Sequence, residues 1–494
     1  MKNFNNKTLI SFSVLFILIG LLQSCSDFLE QEPGTQVSIT EQLGTKQGVM
    51  TALNGLYSDV EVNVRGERFA VYADLQGGNI KFTPSTTSSS LGQINIPTNI
   101  ANVYSFDDQS DASNYAIFYS ESYDIINQAN LILEFTDALT DATQEEKNQL
   151  KAEALSIRAY THFLLSEVYS QNYGYTSDAS HKGIVYNTQS ITKGIQYPAR
   201  ETAANTYSLI IKDITDALSL YSDNLVLSGP VYSFFNKTNT KALLARVYLS
   251  KKDYKNAYET ANDVITNSGV SLVNSANYIS EWEKPDLPIS EILLEFSIPK
   301  GNDGTVGGSL STFFGYTSST VYGRYVASQD LLDLYETNDI RKQLFLTQSI
   351  STLIDSKKDP RNYYFTKKFQ GNPGYVAFRL SEQYLIRAEA ALGLDNPNLE
   401  QAKSDINTIR ARANATLLND TNNLAEVVFL ERRKELCFEG HLFFDIARNH
   451  KSVSRNDGCI SLSCNMTYPS LKFVLPIPRA NLNVNPNLEK NESY

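Results

Sequence analysis

The pattern of apolar and polar positions along this chain is mainly that of amphipathic helices. Apolar side chains recur three and four positions apart, as they do on one face of a helix. The segment 145–169 adds many strong helix formers and is followed by Asn172 and Gly174, which suit helix termination. The periodicity predicts helices over residues 48–60, 115–139, 145–169 and 203–221.

Two further segments have the spacing of closely packed helix pairs. Small and aromatic residues recur over 241–266 and again over 382–412 at the spacings of a tetratricopeptide pair. The helices at 149–169 and 203–221 would form another pair, divided by a long insertion. Because these repeats are degenerate and interrupted, they favour a helical frame wrapped by loops over a free-standing solenoid.

Long stretches of loop-like sequence interrupt the helical pattern. Residues 65–105 contain a run rich in Ser and Thr at 83–90, and residues 268–378 contain many glycines and aromatic residues. Within the second stretch, 292–296 and 363–369 are short enough to be strands. Loops on a rigid frame commonly carry binding residues. The expected fold class is therefore mainly α, with helix pairs forming a frame, long loops around it and a few short strands.

The N-terminus has the layout of a secretory signal. Residues 1–24 carry only two lysines as charges, followed by an apolar run that is short for a membrane helix. The run ends in Leu22-Gln23-Ser24-Cys25, which resembles a lipobox, so we expect Cys25 to be lipidated. The alternative is an ordinary secretory signal followed by a chance cysteine.

Charge and cysteine content narrow the function classes. The formal net charge is −11 and no basic cluster appears, which makes nucleic-acid binding unlikely for electrostatic reasons. Cys437 has the setting of a core residue. Cys459 and Cys464 lie in a loop-like segment, where they could form a disulfide or stay apart. A metal site is the weaker interpretation, because only His450 lies near them.

The segment 426–449 carries more charge than a buried helix normally does. Its apolar residues are too many for one stripe, so we expect burial on more than one side and paired charges. A catalytic pair of Glu439 and Asp445 is the alternative, but a spacing of six residues puts them on different helix faces. The charged residues of the segment that cannot all reach water are Glu431, Arg432, Arg433, Glu435, Glu439, Asp445 and Arg448.

Catalytic and cofactor motifs are absent from the sequence, whereas aromatic residues are abundant. No zinc-protease, P-loop or nucleophile motif is present, so neither an enzyme nor a cofactor is expected, although a glycosidase needs only two of the 54 acidic residues. The 29 tyrosines include several in glycine-rich loops, where exposed rings can stack on sugars or peptide side chains. Packing within the loop is the alternative for each of them. The candidate ligand-binding residues are Asn79, Trp282, Tyr316, Tyr322 and Arg324.

Six segments of the chain form a recognisable set. The 426–449 segment contributes Glu431-Arg432-Arg433, Glu435-Leu436, Phe438-Glu439-Gly440 and Phe444-Asp445. The others are Ser26 to Pro33 after the lipobox, Glu153-Ala154 with Arg158-Ala159 and Phe163, Arg379 with Glu382, Leu385 and Ala388-Glu389-Ala390, Leu475 to Pro478, and Asn485 to Leu488 with Asn491. Together they resemble motifs of the SusD/RagB family of outer-membrane nutrient-binding lipoproteins. Two places depart, since Leu442 stands where the family usually has Arg and Glu492-Ser493 replaces its usual Pro-Gly.

The resemblance implies a palmitoylated outer-membrane lipoprotein facing the cell exterior. It would bind an oligosaccharide or a peptide and work with a SusC-like TonB-dependent transporter. A helical scaffold that only holds other proteins is the alternative. On this basis we divide the chain into a signal peptide at 1–24, a helical part at 25–267, a loop-rich ligand-binding insertion at 268–377 and a C-terminal SusD/RagB part at 378–494.

Overall fold

A computed structural model of the protein describes residues 38–222, 225–284, 288–297, 310–369 and 374–494. The described part consists mainly of helices, with short paired strands and long connecting loops. This architecture confirms the predicted fold class.

Most helices belong to a frame that runs through the whole described chain. The helices are α1 Ile39–Leu43, α2 Lys46–Arg65, α3 Glu67–Gly77, α4 Ala101–Tyr104, α5 Ala116–Thr136, α6 Gln144–Tyr169, α7 Ala203–Leu220, α8 Lys237–Ser250, α9 Tyr254–Asn267, α10 Tyr278–Trp282, α11 Leu310–Phe314, α12 Gln329–Leu332, α13 Leu380–Leu392, α14 Leu399–Arg412, α15 Leu424–Glu435, α16 Leu442–Arg448 and α17 Arg479–Val484.

The strands form separate antiparallel pairs rather than one sheet. β1 pairs with β5, β2 with β8, β3 with β4, β6 with β7, and β9 with β10. The strands are β1 Ile80–Phe82, β2 Ile292–Phe296, β3 Tyr316–Ser318, β4 Val321–Tyr322, β5 Tyr325–Ala327, β6 Phe345–Ile354, β7 Lys357–Thr366, β8 Tyr375–Arg379, β9 Val453–Ser454 and β10 Asn465–Met466.

The long helix α6 shows how local sequence sets a helix boundary. Thr143 accepts a hydrogen bond from the backbone N–H of Glu146, and the Glu146 side chain accepts one from the backbone of Thr143. This capping box satisfies two backbone donors that the first helical turn leaves without partners. The helix is then buried along most of its length between α5 and α7.

The predicted partner helices do pack against each other. α6 lies against α7, α8 against α9, and α13 against α14, while α9 also contacts α13. Identifying these pairs as tetratricopeptide repeats stays an interpretation. One main hydrophobic core, from Leu43 to Ile477, draws side chains from all three predicted parts of the mature chain.

Three sequence predictions were wrong in their boundaries. Residues 65–105 contain the helix α3, which has no apolar stripe because it is buried on all sides from Phe69 onward. The helical segment 426–449 is broken between α15 and α16, where Phe438 and Gly440 adopt positive φ angles of 67° and 81°. The predicted strand 363–369 is the end of a ten-residue strand, β7, paired with β6.

Candidate functional site

The charged motif of α15 lies inside the protein, where it forms an ionic cluster. The fully buried Glu435 accepts hydrogen bonds from Arg412 at 2.5 Å, Arg379 at 2.7 Å and Arg341 at 3.0 Å. Burial alone would raise the pKa of Glu435, but the three guanidinium groups outweigh burial and hold this pKa well below its usual value. Glu435 is therefore ionised, and its charge compensates arginines from three other elements.

Glu439 and Asp445 have different cationic partners. Glu439 accepts from Arg379 at 2.6 Å and from Lys368 at 2.7 Å, whereas Asp445 accepts from Arg432 at 2.9 Å and Arg448 at 2.8 Å. Both carboxylates border a cavity of about 20 Å³, which holds about one water molecule and no substrate. The motif therefore forms the predicted paired network.

The departing residue Leu442 lies inside the protein. It is buried against α3, where a side chain at Gly77 would place its Cβ 2.6 Å from Leu442 Cγ. Asp445, the acid of the same helix, takes its two cationic partners from Arg432 and Arg448. A leucine thus fills space against α3 here, while the ion pairs of Asp445 come from other positions.

Two of the five candidate ligand-binding residues belong to this interior, which corrects the expectation that they are exposed. Trp282 is only 4% exposed, and its ring lies 5.0 Å from Lys368 Nζ. Asn79 is fully buried, donates to Asp74 at 2.7 Å and accepts from Arg433 at 2.8 Å. The expectation failed because local composition does not show which loop residues another element will cover.

A separate cavity lies at the surface where the early loop meets the strands β3 to β5. It has a volume of about 450 Å³ and is bordered by the loop 83–97, by α11, by Tyr322 and Arg324, and by Glu67 at the start of α3. Seven of its lining residues carry hydroxyl or amide side chains: Thr83, Ser85, Thr86, Thr87, Ser90, Asn95 and Thr312. Such a wall can both donate and accept hydrogen bonds.

Long-range backbone pairing positions the two sides of this cavity. The backbone N–H of Thr83 donates to Arg324 O at 2.9 Å, and Thr83 Oγ1 donates to Gly323 O at 3.0 Å. Gly323 approaches α11 so closely that a Cβ there would lie 2.3 Å from Phe313 O. These contacts continue the β1–β5 register and bring residues near 83 beside residues near 324.

The two tyrosine candidates form one aromatic unit. The rings of Tyr316 and Tyr322 lie nearly parallel, with centroids 6.2 Å apart, and both contact Phe365 of β7. Tyr322 borders the cavity, and its hydroxyl donates to Pro84 O at 3.0 Å, whereas Tyr316 lies behind it. Tyr322 therefore presents a ring whose hydroxyl is already engaged, and Tyr316 supports it.

Two charged side chains, Glu67 and Arg324, also border the cavity. Glu67 accepts from Asn99 Nδ2 and from Tyr325 Oη, both at 2.7 Å, and from Arg324 Nη1 at 3.4 Å. Glu67, Thr312 and Phe313 were missed by the sequence reasoning. Their place in the site depends on contacts between distant segments, and neither composition nor spacing indicates it.

The cysteine pair resolves one open alternative. Cys459 and Cys464 form a disulfide, so the metal interpretation of these thiols is wrong. Cys437 is buried in the main core, as predicted. Within the described ranges, no group of three or more His, Cys, Asp or Glu side chains is arranged to hold a metal ion.

The membrane-related predictions concern mostly the N-terminus. The signal peptide at 1–24 and Cys25 lie outside the described residues, as does the glycine run at 301–308. Among the helices that the structure describes, none combines the length and the apolar character needed to cross a bilayer.

Comparison with protein families gives a consistent result along the chain. A model described as "Starch-binding associating with outer membrane" matches residues 27–249, and the SusD family model matches residues 364–494. The chain belongs to the SusD/RagB family. This confirms the resemblance that the motifs carried and places the protein among outer-membrane-associated nutrient-binding proteins rather than in a known enzyme family.

Full-length relatives and solved structures agree with membership of the SusD/RagB family. SusD-like protein P38 of Formosa agariphila is 22% identical, and the match covers 100% of both chains. SusD-like protein P2 of the same organism is 24% identical, and the match covers 97% of this chain and 99% of P2. A SusD superfamily protein from Bacteroides thetaiotaomicron is 24% identical with a TM-score of 0.75, over 90% of this chain and 99% of its own. A putative sugar binding protein from Bacteroides vulgatus is 25% identical with a TM-score of 0.76, over 92% and 99%.

Proposed function

We propose that this SusD-like protein is a surface lipoprotein that binds an oligosaccharide in the cavity between the loop 83–97 and the strands β3 to β5. It then delivers the sugar to a SusC-like TonB-dependent transporter in the outer membrane. The observation that carries the proposal is a cavity of about 450 Å³ that is lined by hydroxyl and amide side chains together with Tyr322. This volume lies within the range of roughly 300 to 1,000 Å³ typical of small-ligand sites.

The chemistry of the cavity suits a sugar better than a peptide. Sugar hydroxyls both donate and accept, as do the serine and threonine side chains of the wall, while the apolar face of a sugar ring packs on Tyr322. One similar structure is named a SusD-like carbohydrate binding protein from Bacteroides vulgatus. Peptide binding in the manner of RagB is the alternative, and a scaffold without a small ligand would leave this cavity without a role.

The anchor and the partner complete the proposal. Cys25 carries the lipid that holds the mature chain to the outer membrane, and the regular helical frame docks the transporter. Exposed apolar side chains beside this frame, at Ile191, Ile195 and Tyr197 of the loop between α6 and α7 and at Val484 of α17, support a protein contact there. The proposed role is binding without hydrolysis, because glycoside hydrolysis commonly uses two carboxyl groups and the described lining of the cavity contains one, Glu67.

Calorimetric titration with a panel of neutral and acidic oligosaccharides tests the function. Replacing Tyr322→Ala removes the ring at the cavity and should weaken binding about 10- to 100-fold, the effect expected for losing one stacking aromatic. Tyr322→Phe keeps the ring and loses only the hydrogen bond to Pro84, so it should bind nearly as the wild type does.

Tyr197→Ala is the matched control for this titration. Tyr197 is 49% exposed, and the cavity lining does not include it, so its removal should not change affinity. Equal affinity of the Tyr322→Ala variant and the wild type would show that the ligand binds elsewhere. Binding of peptides but of no oligosaccharide would favour the alternative ligand class.

A further inference from the structure

We propose that the cavity selects acidic oligosaccharides, with Arg324 binding a carboxylate or sulfate group on one sugar residue. The inference rests on the proposed function and names the substrate class of the same site. It starts from the surroundings of Arg324, because a guanidinium has five N–H donors in a planar fork that matches such oxyanions.

Arg324 is held in place by its backbone rather than by its side chain. Its carbonyl accepts from Thr83 N at 2.9 Å, and the next residue, Tyr325, pairs with Phe82 in the β1–β5 ladder. On the other side, Gly323 is packed against the backbone of Phe313. The side chain therefore starts from a fixed point at the cavity wall, and a ligand that uses it needs no rearrangement of the strand.

The guanidinium has donors to spare. Among the residues that the structure describes, its side-chain contact is a single 3.4 Å approach to Glu67, and 52% of the side chain is exposed. Glu67 does not depend on this contact, because Asn99 and Tyr325 each donate to it at 2.7 Å. Arg324 can thus turn toward a ligand while the partly buried Glu67 keeps two hydrogen-bond donors.

The buried arginines of the same protein behave differently. Arg379 uses its guanidinium on Glu291, Glu435 and Glu439 at 2.6 to 2.8 Å and is 1% exposed. Arg379 therefore has several short ionic contacts, whereas the described contact of the Arg324 side chain is one long approach to Glu67.

Arg324 is the one cation in the described lining of the cavity. The chain has a net charge of −11, so its overall field disfavours acidic ligands, and an acidic ligand at this cavity depends on Arg324 for electrostatic attraction. Within the described lining, the other charged residue is Glu67. A neutral sugar could be held by the hydroxyl wall alone, whereas a local cation at the wall provides what an acidic sugar needs.

A matched pair of ligands tests the proposal. Tri-galacturonate and its methyl ester share one backbone and differ in charge, and a sulfated oligosaccharide with its desulfated form tests the second oxyanion. By calorimetry we expect the wild type to prefer one acidic member over its neutral partner by about tenfold or more, with a preference that shrinks in high salt. The preferred pair identifies the group as carboxylate or sulfate.

Variants assign the preference to Arg324. Arg324→Gln should bind the acidic and neutral members of the preferred pair about equally, and Arg324→Lys should retain part of the preference. Arg361→Gln is the control, because Arg361 is similarly exposed, pairs with Asp359 and is not among the described residues that line the cavity. The side chain of Arg324 makes no buried contact, so the variant protein should fold normally.

The outcomes separate this inference from the proposed function. One outcome is that neutral oligosaccharides bind in a manner that depends on Tyr322, with no preference for acidic members. This result would contradict the proposed substrate class but would agree with the proposed function. An unchanged preference in Arg324→Gln also overturns the inference. If acidic peptides bind through Arg324 and no oligosaccharide binds, both proposals are wrong.

Discussion

The ionic cluster around Glu435 and the cavity beside Arg324 use the same residue types in opposite ways. In the cluster, Glu435 is fully buried among Arg341, Arg379 and Arg412, with contacts of 2.5 to 3.0 Å. In the cavity, Arg324 is half exposed and makes one 3.4 Å contact. Charges with complete sets of partners hold elements together, while a charge with unused donors is available to a ligand.

The comparison also shows that the most conspicuous sequence motif does not form the larger cavity. The densest charged motif of the chain encloses a space of about 20 Å³, whereas a plain Ser- and Thr-rich loop borders about 450 Å³. A strong sequence motif in this protein marks the joint between the α13, α14 and α15 helices and the strand β8. The cavity that we propose as the ligand site is built from segments that carry little signature of their own.

The largest effect is expected from breaking the ionic cluster. Glu435→Gln keeps the size of the side chain but leaves three buried arginines without their shared anion. Removing one partner of a buried ionic group commonly costs about 3 to 5 kcal/mol. Denaturation by urea should therefore show a loss of that order in the free energy of unfolding.

The control for this variant is an exposed glutamate on the same helix. Glu426 pairs with Lys451 at the surface, with side chains 39% and 33% exposed, so Glu426→Gln should cost less than about 1 kcal/mol. Similar losses for Glu426→Gln and Glu435→Gln would show that the cluster contributes no more than a surface ion pair does. The contrast between the two regions would then lose its energetic basis.

A second buried acid, Glu153, sharpens the comparison because no cation in the described part of the chain pairs with it. It accepts hydrogen bonds from Tyr57 at 2.7 Å and Gln149 at 2.8 Å, and burial raises its pKa to about 7. The folded protein therefore holds this proton more tightly than the unfolded chain does. The associated stability is fully present below about pH 4.5 and is lost as the pH rises through about 7.

The glutamine variant measures this effect. The free energy of unfolding of the wild type should fall by about 3 kcal/mol between pH 5 and pH 8, since one pKa unit corresponds to about 1.36 kcal/mol. Glu153→Gln should not show this fall. The amide is tolerated because Gln149 Oε1, which has no partner among the described residues, can accept from it. Glu400→Gln, at a side chain 75% exposed, should keep the wild-type pH profile. A Glu153→Gln profile as steep as the wild type would show that Glu153 is ionised when folded.

The parts of the fold that sequence could predict are those set by local pattern. β2 was predicted at its observed bounds, and α6 and α7 within one residue at each end, because caps and periodicity define them. The β6–β7 hairpin was missed because its turn uses Asp355 and Ser356 in left-handed conformations, where Asn and Gly are the usual indication.

The candidate site could be predicted only in part, for a different reason. Tyr322 and Arg324, chosen as ligand-binding candidates from their aromatic, glycine-rich loop, border the cavity, while Trp282 in an equally suggestive setting is buried. What distinguishes them is pairing between residues about 240 positions apart, such as Thr83 with Gly323. A single sequence does not show such pairing. Whether the two cavity residues bind a ligand stays a prediction.

The smallest expected effect concerns the disulfide loop behind the cavity. Gly458, next to Cys459, packs on the Lys81 side chain, and Lys81 pairs with Asp457 at 2.7 Å, so this loop covers the outer side of the β1–β5 ladder. Replacing both Cys459 and Cys464 by serine releases a short closed loop, for which chain entropy gives about 2 kcal/mol of unfolding free energy. Oligosaccharide affinity should change less than about threefold, because the Thr83 to Arg324 pairing on the cavity side remains. Calorimetry and urea denaturation on the double serine variant measure both quantities. A loss of affinity as large as that of Tyr322→Ala would mean that the disulfide loop shapes the cavity. Ligand binding would then depend on contacts outside the cavity, just as the stability of the ionic cluster depends on contacts between several elements.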